Sequence, residues 1–192
     1  MQKILIVEDS DIVAKVLLHI AKQELQYELL LAKTLAEAQA YYEQHSDTLF
    51  AALVDLNLPD APDGEVVDFT LSKKLPTIVL TGSYDEERRE ALLKKGIVDY
   101  VTKESKFSYR YAVRAVNRLK ANESIQVLVV EDSKTMRKYI VNMLKCHQFT
   151  VFEAEDGVEA IKVLLANPGI KLLITDYNMP CLLYTSPSPR DA

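Results

Sequence analysis

Two nearly identical stretches, each an apolar run that ends in two acids and a serine, constrain the fold of this chain most. The first occupies residues 4–10 (ILIVEDS) and the second occupies residues 127–133 (VLVVEDS). A short run that is apolar throughout is typical of a strand buried on both faces, as in a parallel sheet. Two carboxylates at the end of such a strand are costly unless something compensates them, and a divalent cation is the obvious candidate.

The rest of the first 121 residues alternates apolar strands with helices, joined by short loops. We predict five strands here, at 3–7, 27–31, 49–54, 77–80 and 98–101, and a helix after each of them. This alternation predicts an α/β fold, a doubly wound parallel sheet covered by helices on both faces. Ligands of such sheets bind beyond the carboxyl ends of the strands. In this chain those ends carry polar residues: Glu8, Asp9, Asp55, Thr81 and Lys103.

The same pattern then starts again. We predict strands at 126–130, 149–153 and 170–175, the last of which ends at Asp176. The spacing from Asp9 to Asp55 is 46 residues, and the spacing from Asp132 to Asp176 is 44. We therefore predict a duplicated domain whose second copy stops after its third strand.

The polar residues at the strand ends suggest a chemistry. Three carboxylates, Glu8, Asp9 and Asp55, repel one another and favour a hard cation such as Mg²⁺, which binds carboxylates and phosphate oxygens together. Lys103 adds a positive charge that could pair with a phosphoryl oxygen, and Thr81 adds a hydroxyl donor. This set suits phosphoryl transfer to a carboxylate, where catalysis consists mainly of positioning and charge neutralisation.

Taken together, these motifs resemble two tandem receiver domains of bacterial two-component response regulators. The resemblance covers residues 1–121 in full and rests on Glu8-Asp9, on the segment 55–59 (DLNLP), on Thr81-Gly82 and on the segment 100–103 (YVTK). It implies a flavodoxin-like fold with a five-stranded parallel sheet. It also implies a partner, either a histidine kinase or a phosphotransfer protein.

The resemblance assigns a role to each matching residue of the first copy. Asp55 would be the phosphoacceptor, and Mg²⁺ would be held by Glu8, Asp9, Asp55 and the backbone carbonyl of Asn57. Thr81 and Lys103 would contact the phosphoryl group, and Tyr100 would be the aromatic residue that turns inward on activation. Two departures stand out: Glu104 replaces the proline that usually follows the lysine, and the loop after Asp55 is one residue longer than its common form.

The second copy matches the family at Glu131-Asp132 and at residues 176–180 (DYNMP). By resemblance, Asp176 would be a second phosphoacceptor. A second Mg²⁺ would be held by Glu131, Asp132, Asp176 and the backbone carbonyl of Asn178. This copy has no counterpart of Thr81 or Lys103, so its site is expected to be incomplete.

The last twelve residues (CLLYTSPSPRDA) depart from the family pattern. Pro187 and Pro189 are incompatible with the helix expected there, and the string resembles the translation of a transposon-derived sequencing adapter. We predict a complete receiver at 1–121, the N-terminal half of a second receiver at 122–180, and a foreign tail at 181–192.

The output is suggested only by resemblance. The segment 117–133 and the ITDYNMP segment at 174–180 resemble diguanylate cyclases that carry a GGDEF domain after their receivers. The fragment would then be a regulatory phosphoacceptor and the full-length protein a diguanylate cyclase. A receiver-only relay protein and a DNA-binding response regulator are alternatives. An aspartyl-phosphate phosphatase of the haloacid-dehalogenase type is disfavoured, because its acceptor lies on the first strand.

Composition and charge limit the location and the partners. A net charge of −5 argues against a non-specific nucleic-acid binder, and no apolar run approaches the roughly 18–20 residues that cross a membrane. Cys146 and Cys181 lack metal or redox spacing, which indicates a reducing compartment, so we predict a cytoplasmic protein. The last helix of the first copy carries basic residues at four-residue spacing, which predict either a solvated face or a homodimer contact: Lys106, Arg110, Arg114 and Arg118.

Overall fold

The computed structural model describes residues 1–177, which form two compact units, residues 1–118 and a second unit that begins at Leu119. Each unit is a parallel sheet with helices packed against it. The predicted fold class is confirmed. The calls for residues 178–192, which include the carbonyl of Asn178 and the foreign tail, lie outside the described residues.

The first unit contains a five-stranded parallel sheet in the order β2-β1-β3-β4-β5. The strands are β1 (Lys3–Val7), β2 (Glu28–Ala32), β3 (Leu49–Asp55), β4 (Thr77–Thr81) and β5 (Asp99–Thr102). The helices are α1 (Asp11–Glu24), α2 (Leu35–His45), α3 (Glu65–Ser72), α4 (Glu86–Lys95) and α5 (Lys106–Asn122). The residues of α5 from Leu119 onward are counted with the second unit.

The apolar runs of the central strands form the core. Residues 4–7 of β1, 51–54 of β3 and 78–80 of β4 are all completely buried. Their burial on both faces explains why these runs are apolar throughout rather than alternating. The helix ends follow local chemistry: the Ser10 hydroxyl accepts from the Val13 amide at 3.4 Å, and Gly96 ends α4 with a left-handed φ of 104°.

One helix is longer than the sequence predicts. We predict the end of α2 at about Tyr42, but the helix continues to His45. The His45 ring stacks on the Tyr41 ring with 6.5 Å between centroids, and the His45 carbonyl accepts from the Thr48 amide at 2.9 Å. These contacts stabilise the last turn of α2. The residues of that turn show no apolar periodicity, so the sequence does not predict it.

The second unit repeats the start of the first. Its elements are β6 (Gln126–Val130), α6 (Lys134–Cys146), β7 (Thr150–Ala154), α7 (Gly157–Ala166) and β8 (Ile170–Thr175), with strand order β7-β6-β8. Within the described part of the chain, β8 pairs only with β6. Leu172 and Leu173 on β8 are therefore almost half exposed, whereas Ala51 and Ala52 at the matching positions of β3 are completely buried.

The two sheets share an irregularity. The register between β1 and β3 shifts by one residue between Lys3 and Ile4, and the register between β6 and β8 shifts between Gln126 and Val127. Elsewhere along these strands the pairing is regular.

Across residues 1–177, none of the helices combines the length and the apolar character needed to cross a bilayer.

Candidate metal centre at the sheet edge

The carboxyl ends of β1 and β3 bring three acids together in the first unit. Carboxylate oxygens of Glu8, Asp9 and Asp55 lie within 4.8 Å of one another. Glu8 and Asp55 are buried, whereas Asp9 is exposed. The register of the neighbouring strand pairs Asp55 with Leu80, which places Thr81 one step further along the same edge.

Lys103 joins the two buried acids. Its ammonium nitrogen lies 2.6 Å from Glu8 Oε2 and 2.6 Å from Asp55 Oδ2, and only 10% of its side chain is exposed. The Lys103 amide donates to the Thr81 carbonyl at 2.8 Å, which fixes the start of the side chain beside β4. The sequence prediction that these residues converge on one edge of the sheet agrees with this geometry.

The charges at this edge do not balance. One lysine faces two buried carboxylates, with the Asp9 carboxylate close by. Burial raises the pKa of Glu8 above its usual value despite the opposing effect of Lys103. Burial alone would lower the pKa of Lys103, but its hydrogen bonds to Asp55 and Glu8 outweigh this effect and hold the pKa above its usual value.

The lone pairs that remain on the Glu8 and Asp55 carboxylates suit a hard cation. Lys103 occupies one oxygen of Glu8 and one of Asp55. The other Glu8 oxygen accepts from the Ser10 amide at 3.3 Å, and the other Asp55 oxygen accepts from the Asn57 amide at 3.3 Å. These amides orient the carboxylates and leave lone pairs available, so the oxygen donors fit Mg²⁺.

The raised pKa of Glu8 should make the stability of the protein depend on pH. A group whose pKa is raised on folding stabilises the protein below its unfolded pKa, and this contribution is lost as the pH rises through the folded value. We therefore expect Glu8→Gln to make the metal-free protein more stable at pH 7, because burial makes the folded protein resist an ionisation that the unfolded chain has completed by that pH. The variant should also bind Mg²⁺ about tenfold more weakly or worse, since one of the three clustered carboxylates loses its charge.

Urea unfolding of the metal-free protein between pH 4 and pH 8 measures this effect. The difference in unfolding free energy between Glu8→Gln and the wild type should grow with pH over this range. A constant difference, or one that shrinks with pH, would contradict the assignment.

Thr81 is linked to Tyr100 through one backbone carbonyl. The Thr81 hydroxyl donates to the Ser83 carbonyl at 3.1 Å, and the Tyr100 hydroxyl donates to the same oxygen at 3.3 Å. Tyr100 is buried, and the Tyr84 ring meets it edge-on with 6.5 Å between centroids. Sequence reasoning named Thr81 and Tyr100 but missed Ser83, because its acceptor is a main-chain atom that no residue type reveals.

The second unit carries a similar acidic cluster. Carboxylate oxygens of Glu131, Asp132 and Asp176 lie within 4.8 Å of one another, and the Ser133 amide donates to Glu131 at 3.1 Å, as the Ser10 amide does to Glu8. The sequence prediction that these three acids converge agrees with the structure.

A residue that the sequence did not single out supports this second cluster. The Arg137 guanidinium donates to the Glu131 carbonyl and, at 3.4 Å, to the Asp132 carbonyl. It also lies 3.8 Å from Glu153 and 3.9 Å from Glu155. Relative to the serine before each helix, Arg137 takes the position of the small Ala14 in the first unit.

The arginines of α5 make contacts inside the first unit. Arg114 donates two hydrogen bonds to the Glu24 carboxylate, at 3.1 and 3.2 Å, and Arg110 lies 3.4 Å from the same group. Arg118 lies over the Tyr111 ring, 5.0 Å from its centroid. The arginines of α5 therefore pack partly against their own unit. A homodimer through these arginines stays a prediction.

Comparison with known families decides where the chain belongs. The family model for the response regulator receiver domain matches residues 4–109 and again residues 127–182. The chain belongs to the response regulator receiver family. It contains two matches to the receiver, which agree with the internal repeat of the sequence.

Solved structures and curated receivers are consistent with this assignment. Two structures of two-component system response regulator/GGDEF domain proteins are each 42% identical to this chain, with TM-scores of 0.84 and 0.83. In each case the match covers 94% of this chain and 72% of the other. A chemotaxis protein CheY homolog of Campylobacter jejuni is 51% identical over 57 residues, and CheY1 of Helicobacter pylori is 53% identical over 57 residues.

These curated matches are partial. Each covers 29% of this chain, and they span 44% of the Campylobacter protein and 46% of the Helicobacter protein. The chain therefore spans less than half the length of the curated relatives it matches.

Proposed function

We propose that the first receiver accepts a phosphoryl group on Asp55 from a histidine kinase or a phosphotransfer protein. The observation that carries this proposal is the Lys103 ammonium, which lies 2.6 Å from Asp55 inside a cluster of three acids. An Asp55 oxygen would attack the phosphorus atom while the bond from phosphorus to the donor group breaks. Lys103 and the Thr81 hydroxyl would donate hydrogen bonds to the phosphoryl oxygens.

The metal has a defined place in this proposal. Mg²⁺ would be held by Glu8, Asp9, Asp55 and the backbone carbonyl of Asn57, and would supply positive charge to the phosphoryl oxygens. Lys103 holds the Asp55 carboxylate in place, and its three N–H donors allow it to exchange a carboxylate oxygen for a phosphoryl oxygen without losing its charge.

The same contacts suggest how the signal leaves the site. To reach a phosphoryl group, the Thr81 hydroxyl would have to leave the Ser83 carbonyl, to which the Tyr100 hydroxyl also donates. We propose that this exchange shifts the loop before α4 and alters the face formed by α4, β5 and α5. A homodimer through Arg110, Arg114 and Arg118 on this face is part of the proposal.

For the second receiver we propose Asp176 as phosphoacceptor, with Glu131, Asp132 and the carbonyl of Asn178 as further Mg²⁺ ligands. The close approach of the three carboxylates supports it. For the whole protein we propose control of cyclic di-GMP synthesis in the cytoplasm, because the two similar solved structures are response regulator/GGDEF domain proteins. A receiver-only relay and a DNA-binding regulator are the alternatives.

Labelling with a small phosphodonor tests the proposal for Asp55. The full chain is incubated with acetyl phosphate and Mg²⁺, and the acyl phosphate is located by peptide mass spectrometry. We expect label on the peptide that contains Asp55, no label there after Asp55→Asn, and strong loss of label when Mg²⁺ is chelated.

Asp63→Asn is the matched control for this experiment. It makes the same chemical change in the same loop, at an exposed position eight residues further on, and should leave the labelling of Asp55 unchanged. Label that persists on this peptide in Asp55→Asn would refute the assignment of the phosphoacceptor.

A further inference from the structure

One side chain ties the loop that follows Asp55 to the first turn of α2. Asp60 Oδ1 accepts a hydrogen bond from the Leu35 amide at 2.9 Å, and Asp60 Oδ2 accepts one from the Ala36 amide at 3.0 Å. Both carboxylate oxygens are therefore used on backbone donors about 25 residues earlier in the chain. A carboxylate bound by two amides at a helix N-terminus is held by charge as well as by geometry.

The remaining donors of this helix end show that the contact is not redundant. The Glu37 amide donates to the Thr34 hydroxyl at 3.1 Å, and the Ala38 amide donates to the Thr34 carbonyl at 3.1 Å. The Thr34 hydroxyl therefore caps the third amide of the helix, and the fourth makes an ordinary helical bond to the Thr34 carbonyl. Asp60 caps the first two. No donor in the first turn of α2 lacks a partner, and half of them depend on the distant loop.

The loop itself has little freedom between Asp55 and Asp60. Leu58 and Ala61 exchange two backbone hydrogen bonds of 3.2 Å, which closes a tight turn with Asp60 at its tip. Both side chains of this pair are buried. At the other end, the Asn57 amide donates to Asp55 Oδ1 at 3.3 Å. The segment is thus fixed at the phosphoacceptor, at the turn and at α2.

We infer that Asp60 is a positioning residue that holds the backbone carbonyl of Asn57 in place for the cation. This inference rests on the proposed function, in which that carbonyl is a Mg²⁺ ligand. The loop is one residue longer than the family's common form, so the anchor has more alternative backbone conformations to exclude. Asp60 supplies the anchor by binding a helix that is itself packed on the sheet.

Magnesium binding to the full chain tests the inference. A Mg²⁺ titration followed by the amide NMR signals next to Asp55 measures the affinity of the first site alone, and signals next to Asp132 report on the second site. We expect Asp60→Ala to weaken Mg²⁺ binding at the first site by about tenfold, as loss of an orienting partner usually does. Asp60→Asn keeps one acceptor oxygen and should fall between this variant and the wild type.

Two control variants separate positioning from charge and from helix stability. Asp63→Ala removes a carboxylate from the same exposed loop and should change the affinity less than about twofold, since exposed charges are screened. Thr34→Ala removes the other cap of α2 and should speed hydrogen exchange in that helix without weakening Mg²⁺ binding. An equal loss of affinity in Asp60→Ala and in either control would overturn the inference.

Asp9→Ala distinguishes this inference from the proposal on which it rests. If Asp9→Ala leaves Mg²⁺ binding at the first site intact, the proposed metal site is wrong. If Asp9→Ala abolishes binding while Asp60→Ala and Asp60→Asn bind as the wild type does, the metal site stands and the positioning role of Asp60 is refuted.

Discussion

Replacing Lys103 with methionine is expected to destabilise the first unit by about 3–5 kcal/mol at pH 7 in the absence of Mg²⁺. The methionine side chain has a similar length but no charge, so the buried Glu8 and Asp55 carboxylates would face each other without the ammonium that lies 2.6 Å from each. Like charges in a poorly solvated site must then repel or take up protons, and both outcomes cost folding free energy.

The burial of an ion pair determines how much stability is lost when its lysine is replaced. The ion pair between Lys95 and Asp68 provides the comparison. Lys95 lies 2.6 Å from Asp68, the same distance, but both side chains are more than half exposed. Lys95→Met should therefore cost less than about 1 kcal/mol. Hydrogen exchange of the amides in β1 and β3 measures both variants, with the amides of β6 and β7 as the internal reference.

Acid and Mg²⁺ should each reverse the loss in Lys103→Met. Protonation removes the repulsion between the two carboxylates, and a divalent cation supplies the positive charge that the lysine provided. At pH values below the usual pKa of glutamate, we expect the loss of unfolding free energy in Lys103→Met to be smaller than it is at pH 7. Saturating Mg²⁺ at pH 7 should also make this loss smaller. A deficit that is the same at pH 4 and pH 7 would mean that lost packing, rather than charge, explains the variant.

Arg137→Ala is expected to destabilise the second unit by about 1–3 kcal/mol. The guanidinium is largely buried and donates to the carbonyls of Glu131 and Asp132, which would lose their partner. The pairs with Glu153 and Glu155 add less, because both carboxylates are substantially exposed and their attraction is screened. The segment that follows β6 and carries Glu131 and Asp132 should therefore become more mobile, and its amides should exchange faster.

The neighbouring lysine is the matched control for this variant. Lys138→Ala removes the same charge from the next residue of α6, where the side chain is exposed. We expect protection of the β6 and β7 amides to fall in Arg137→Ala and to stay close to wild type in Lys138→Ala. Equal protection in the two variants would show that Arg137 only contributes surface charge.

The strands and the first acidic cluster follow from local sequence. Each central strand is an unbroken apolar run that stops at a polar residue, so its end can be located to within one residue, as for β3 at Asp55. In a parallel sheet these ends share one edge, which is why the sequence alone places Glu8, Asp9 and Asp55 together. The sequence does not reveal the end of α2, because a ring contact between His45 and Tyr41, and not an apolar period, accompanies its last turn.

The unpredicted contacts depend on which helix face meets which loop. Asp60 accepts from an amide 25 positions earlier, a contact that no short spacing in sequence reveals. Arg137 lies only six residues after Glu131, but its acceptor is a main-chain carbonyl, which no residue type reveals. The α5 arginines illustrate the same limit. Their four-residue spacing indicates a common face, but it does not indicate that Glu24 of α1 lies opposite Arg114.

The register shift shared by the two sheets bears on ancestry. In each unit the shift occurs after the first residue of the opening strand, β1 or β6, so that the pairing passes over Phe50 of β3 and Lys171 of β8. An extra residue in a strand disturbs the ladder and persists only where the surroundings accommodate it. Two strands of independent origin would seldom acquire it at the same step. The common position therefore indicates that the two units descend from one ancestral domain. The duplication then kept both the register shift and the acidic residues at the strand ends.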